Sequence, residues 1–168
     1  MRIFLIALFL IFIGCKSPKK DHDFTFFKWS LNESYYLKIN SSDTIYCVDA
    51  YGKEKTSFAV LNRDQKEIIQ NILDTIIFPK NETFENDNMD DGTTYAFILK
   101  DQKQSKKLKI HGNAGPKQFW YFGEVLEKMK LNLQFAKTNK KINLKEINKM
   151  FLMEMPQTFV VDTVGLQK

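Results

Sequence analysis

Apolar and polar positions change places every few residues from Phe24 onward. FTFFKWSL, YYLKIN, DTIYCVDAY and KTSFAVL are β-branched and aromatic runs separated by NES, SSD and GKE, the pattern of antiparallel strands joined by hairpins. In the second run Tyr35, Leu37 and Ile39 alternate with Tyr36, Lys38 and Asn40, so one face is dry and the other wetter. A dry face needs a helix to cover it. The period changes at Asn62, which with Gln65 makes a capping-box start. Ile68, Ile69, Ile72, Leu73, Ile76 and Ile77 then fall within one half of a helical wheel, with Ile72 at the centre of the stripe.

Pro79 blocks continuation of that helix, and FPKNETFENDNMDDG reads as a loop with five carboxylates over residues 82–91. TTYAFILKD and KKLKIHG form a further hairpin, with Tyr95, Phe97 and Leu99 opposite Leu108 and Ile110. Gly115 and Pro116 open a second helix, where proline in the first turn costs little; its core stripe is Phe119, Phe122, Leu126, Met129 and Leu133. Asn143 caps a short third helix running to about Met153, and a strand-like TFVVDTV follows Pro156. The predicted fold is α+β, an antiparallel sheet of hairpin-connected strands packed on two main helices in two layers. Residues 24–168 form its single domain, a length able to bury a sizeable core.

The start of the chain has a different pattern. After Met1 and Arg2 come eleven apolar residues, IFLIALFLIFI, which as a helix cover roughly 17 Å against a hydrocarbon core of ~30 Å. That suits the core of a signal peptide, not a membrane span. Phe12-Ile13-Gly14-Cys15 resembles a bacterial lipobox: small Gly14 directly precedes the obligatory cysteine, while Phe12 departs from the leucine usual three residues ahead. The resemblance implies a signal peptide over residues 1–14, a lipid-modified Cys15 as first mature residue, and a tether over residues 15–23. Several acyl chains, at about 0.8 kcal/mol per buried CH₂, hold a protein durably on a membrane. Lys16 lacks the aspartate associated with inner-membrane retention in such proteins, so the outer membrane is the favoured address. Lys16, Lys19 and Lys20 either solvate the tether or lie against anionic headgroups, at about 1 kcal/mol per charge.

The formal charge is +5, and lysine outnumbers arginine 23 to 2. Bidentate recognition of bases and phosphates favours arginine, so nucleic acid is not an expected partner. Once Cys15 is lipidated, Cys47 stands alone. That excludes an internal disulfide and leaves a buried or an intermolecular thiol.

Three constellations are candidates for chemistry. In HGNAGPK, the N–H groups of a helix start together with His111, Gly112, Asn113, Gly115 and Lys117 form a candidate anion site; the competing reading is a glycine-rich turn. Pro116 and Gln118 exclude a Walker loop. In the acidic loop Asp87, Asp91 and Gly92 match positions one, five and six of a calcium loop, but Met89 and Ile98 break the match, and no metal ligand is assigned. Trp120, Tyr121 and Leu131 form a candidate interaction surface on the flank of the second helix, unless a later segment covers them. DGTTYAFIL followed by IHGNAGPKQFWYF is similar to small uncharacterised lipoproteins of Gram-negative bacteria, and that resemblance implies no activity, cofactor or catalytic residue. The expected function is therefore a membrane-anchored, non-enzymatic module of the cell envelope that binds a protein, peptide or glycan. The alternative is a periplasmic hydrolase or metal-dependent enzyme using His111 and the carboxylates of residues 82–91.

Replacing the thiol removes the acylation point. Cys15→Ser is expected to leave an unprocessed precursor, whereas the unsubstituted chain should start at residue 15 with added acyl mass. Intact-mass spectrometry of membrane extracts checks this, and a mature chain beginning at Cys15 without acyl mass would refute the lipobox reading.

Overall fold

The computed structural model describes residues 22–40, 42–51, 55–89, 91–101 and 104–152. Along the chain lie β1 (Asp23–Trp29), β2 (Ser34–Ile39), β3 (Thr44–Asp49), β4 (Thr56–Val60), α1 (Arg63–Thr75), β5 (Thr83–Phe84), β6 (Thr94–Lys100), β7 (Ser105–His111), α2 (Lys117–Asn132), β8 (Ala136–Lys137) and α3 (Lys145–Leu152). The strands form one sheet in the order β5-β7-β6-β1-β2-β3-β4-β8. Among the described strands only β5 runs parallel to its neighbour. The expected four-strand meander and the later hairpin are both present. They are joined by β1 and β6, which pair along their whole length from Asp23↔Lys100 to Trp29↔Thr94. The fold is α+β.

Strand alternation sends two sets of side chains to opposite faces. One set, including Phe24, Phe26, Leu37, Ile45, Phe97, Leu108 and Ile110, shares a buried cluster with Ile69 and Leu73 of α1 and Phe119, Phe122, Leu126 and Met129 of α2. The other set, Phe27, Val48, Ala96 and Ile98, is buried with Leu144 and Ile147. The two-layer expectation is thus corrected, because α3 brings a third layer to the second face. Phe26-Phe27 and Ala96-Phe97-Ile98 are continuous apolar runs, and a strand of that kind is buried on both sides.

α1 begins as its sequence implies. Asn62 Oδ1 accepts from the Gln65 N–H at 2.9 Å, and Gln65 Oε1 accepts from the Asn62 N–H at 2.9 Å. Its buried stripe is narrower than the wheel suggests. Ile69 and Leu73 are buried and Ile72 only partly so, while Ile68 is 46% and Ile77 76% exposed. Ile72 is therefore not the centre, and Ile77 lies beyond the last helical residue, Thr75. In α3, Asn143 Oδ1 accepts from the Lys145 N–H at 3.1 Å. The Tyr36 hydroxyl donates to Asn148 Oδ1 at 2.8 Å, and the Ser105 hydroxyl to Glu146 Oε1 at 2.8 Å. Lys100, then Ser105 and Lys107, hold the Glu146 carboxyl down to about 2.

α2 reaches the sheet where it lacks a side chain. A Cβ on Gly123 would overlap the Tyr95 ring, so the helix backbone lies directly on that ring. One turn later the Tyr95 hydroxyl donates to Glu127 Oε1. Glu127 Oε2 accepts from Lys28 Nζ at 2.7 Å, Lys28 also donates to Glu33 Oε1 at 2.7 Å, and Lys130 Nζ donates to Glu33 Oε2 at 3.0 Å. Burial opposes charge on Lys28 and Glu33. Their mutual hydrogen bonds, with Glu127 and Lys130, outweigh it, raising the lysine and lowering the glutamate.

The expected signal peptide, most of the expected tether, Asp90, Met153 and the strand expected after Pro156 lie outside the described residues. Among the described residues no helix is long and apolar enough to cross a membrane.

A methyl group at position 123 must push α2 off Tyr95 or drive the ring from its place. Gly123→Ala is expected to cost about 1–3 kcal/mol, as overpacking does, read as a lower urea midpoint at unchanged slope. An unaltered midpoint would mean that helix and sheet do not approach this closely.

Candidate functional site

On the α3 face, alternation along β1 places Phe27 and Trp29 side by side, and the register Phe27↔Tyr36 adds a third ring from β2. Phe27 and Tyr36 stack with centroids 4.4 Å apart, and Phe151 of α3 meets Phe27 edge-on at 4.7 Å. The same parity on β6 and β7 brings up Thr94, Lys109 and His111, through the pairs Thr94↔His111 and Ala96↔Lys109. The acidic loop after β5 closes the end with Glu85, Asn86, Asp87 and Met89. Together with Asn148 these groups wall a cavity of about 720 Å³.

Its polar groups are largely bonded to one another. Lys109, 6% exposed, places Nζ 2.7 Å from Glu85 Oε1 and 5.4 Å from the centroid of Phe151. Asn86 Nδ2 donates to the Gly112 carbonyl at 3.1 Å. His111 Nε2 lies 2.7 Å from the Met89 carbonyl oxygen. A carbonyl only accepts, so Nε2 carries the proton. The Thr94 hydroxyl then donates to Nδ1 across 2.8 Å. His111 fastens the acidic loop to β6, and neither ring nitrogen is open to a substrate. Asp87 is exposed at the rim.

The sequence-derived candidates are distributed unevenly around this site. Of His111, Gly112, Asn113, Gly115 and Lys117, only His111 lines the cavity. Gly112, Asn113 and Gly115 take positive φ. A Cβ on Gly115 would also come within 2.8 Å of Ile110 Cγ2, so this stretch turns the chain tightly from β7 into α2. α2 starts after Pro116 without a side-chain cap, and Lys117 is exposed. Glu85 and Asp87 do converge with His111 on one cavity. Asp91 lines a separate recess with Lys28 and Glu33. Among the described residues no three or more His, Cys, Asp or Glu side chains are grouped to hold a metal.

Trp120 is partly buried. Its indole N–H donates to the Ala114 carbonyl at 2.7 Å and its ring lies 5.0 Å from Tyr95, because the helix turns it onto the first core cluster. Tyr121 and Leu131 are 66% and 77% exposed. Cys47 is a buried free thiol, pushed up to about 11 by burial, which makes it a poor nucleophile. The residues that sequence reasoning passed over are Phe27, Trp29, Lys109, Asn148 and Phe151. Their signal was present in the spacing: Phe27 and Trp29 share with Tyr36 the face that was read as wetter.

Compared with known protein families, curated proteins and solved structures, the chain matches none.

The bond to Met89 fixes the imidazole tautomer. At neutral pH a long-range ¹⁵N–¹H correlation spectrum should show His111 protonated at Nε2, and His111→Ala should collapse that correlation and increase exchange of amides in residues 85–89. A ring protonated at Nδ1, with Nε2 free, would reopen His111 as a general base.

Proposed function

We propose that the protein is a lipid-anchored component of the bacterial envelope, attached through Cys15 and favouring the outer membrane. In this reading it acts as a non-enzymatic binding module through the aromatic cavity on the α3 face. The observation that carries the binding role is the wall of Phe27, Trp29, Tyr36 and Phe151 around a cavity of about 720 Å³, with Trp29, Tyr36 and Phe151 only partly buried. Concave, mostly apolar sites with a few convergent polar groups are where small ligands are held.

The hydrolase alternative needs a base or nucleophile with a free lone pair. His111 donates to a backbone carbonyl, Glu85 is paired with Lys109, and the Cys47 thiol belongs to the opposite cluster, so that of this cavity's acid–base candidates Asp87 alone, exposed at the rim, is left for such a role. Flat rings beside amide and charged groups suit a ligand with one apolar face and several hydrogen-bonding groups. A glycan or a short peptide of the envelope has that chemistry.

Trp29 is a built-in reporter, because the only other tryptophan, Trp120, can be replaced by phenylalanine. In the Trp120→Phe chain, soluble peptidoglycan fragments or short peptides should change the Trp29 emission saturably. Trp29→Ala should then weaken binding, measured by calorimetry, at least about tenfold, the equivalent of ~1.4 kcal/mol, with the thermal midpoint nearly unchanged. Absence of any heat or emission change at millimolar ligand would refute the binding role, and equal binding by Trp29→Ala would move it elsewhere on the molecule.

A further inference from the structure

The other end of the α3 face has the opposite character. A recess of about 580 Å³ is lined there by seven lysines and only two carboxylates, Asp23 and Glu146. That excess of five positive charges equals the formal net charge of the entire chain, so outside this recess acidic and basic residues balance.

The two carboxylates are already engaged. Asp23 pairs with Lys38, and Glu146 with Lys100 and, at 3.3 Å, Lys107. Lys140 donates to the Tyr46 hydroxyl at 2.7 Å and lies 4.3 Å from its ring centroid. Lys141, Lys145 and Lys149 are exposed, and among the described residues none of them has an acidic or hydrogen-bonding partner for its ammonium group. Like charges crowded in this way repel, and the arrangement is relieved when anions come to it.

The chain enters the domain at this place. Asp23 is both the first residue of β1 and part of the recess wall. It lies eight residue steps after Cys15, and eight steps span at most about 29 Å when fully extended. A lipid on Cys15 therefore keeps the lysines within a short reach of the headgroups. Lysine is a compact point charge on a flexible stem, suited to a diffuse array of phosphates and not to bidentate recognition of a single one.

We propose that this lysine recess is a membrane-facing surface that seats the domain on the anionic phosphate headgroups of the bilayer carrying its anchor. The proposal rests on the lipid-anchor reading above. It adds that the folded domain, and not only the lipid, contacts the membrane.

The test uses the full mature chain reconstituted into vesicles, with amine acetylation footprinted by mass spectrometry. On vesicles with about one-third phosphatidylglycerol, Lys140, Lys141, Lys145 and Lys149 should be modified at least about threefold more slowly than on pure phosphatidylcholine. Lys117 and Lys128 of α2 should not change. Salt at ~0.5 M should remove the difference by screening. In Lys141→Glu/Lys145→Glu/Lys149→Glu, whose exposed positions leave the core intact, Lys140 should lose its protection. Equal labelling on both vesicles would overturn the proposal. So would the same protection by millimolar inorganic phosphate without vesicles, which would make the recess a site for a free anion. An absent acyl mass on Cys15 would refute the anchor reading alone, because the footprint can still be read with the chain added to vesicles from solution.

Discussion

The close approach of α2 to the sheet at Gly123 is the constraint from which much of the molecule's order follows. Because no Cβ stands between them, the Tyr95 ring lies against the helix backbone, and its hydroxyl reaches Glu127 one turn further on. Glu127 then fixes Lys28 on β1, Lys28 fixes Glu33 in the β1–β2 turn, and Glu33 fixes Lys130 back on α2. The loop of contacts ties one helix to two strands and a turn. Breaking such a set at one member leaves a poorly hydrated charge without its partner, which is costly. The aromatic cluster around Phe97, with Phe26, Phe119 and Phe122 within 6 Å between ring centroids, fills the space beside that frame. Tyr35 and Tyr95 are raised well above the usual phenol range, burial being the leading cause for both. Their role at neutral pH is therefore that of uncharged rings in a core.

With one face so firmly occupied, the opposite face is where, among the described residues, the sheet meets less of its own chain. α3 is eight residues long and covers the middle of that face through Leu144, Ile147 and their neighbours. It leaves a space at each end. Asn148 and Phe151 look into the aromatic cavity, and Lys145, Glu146 and Lys149 into the lysine recess. A short helix laid across a long sheet thus divides one surface into two chemically different ones.

Local chemistry made the six longer strands, the hairpins, the Asn62–Gln65 cap and the Phe119–Met129 stripe legible in the sequence, whereas the two-residue strands β5, within the segment read as a loop, and β8 were not. Each legible element depends on neighbours within a few residues. The pairing of β1 with β6 was not legible, because two strands seventy residues apart carry no local mark of their register. The cavity stayed hidden for the same reason. Trp29, His111 and Phe151 are distant in sequence and meet only once the sheet order and the seat of α3 are known. His111 was recognised as notable, but its neighbours in HGNAGPK proved a poor guide to its surroundings. A strand residue meets cross-strand partners such as Thr94, whereas Lys117 has already passed into the helix. How far Trp120 is drawn toward the core was not legible, because helical spacing alone does not indicate how wide the covered stripe is. Here Tyr95 and the Ala114 carbonyl draw it inward.

The direction of β1 relates the two proposals to each other. Asp23 at its start belongs to the lysine recess and Trp29 at its end to the aromatic cavity. Six residue steps of strand separate them, about 20 Å at 3.3 Å each. A chain anchored just before Asp23, with its lysines against headgroups, would hold the cavity about that far along β1 from the lysine end. Anchoring and binding then do not compete for the same surface. On these two proposals the lipid and the lysines would restrict where the domain can turn, and the aromatic groove would be presented at the end from which a glycan or peptide approaches.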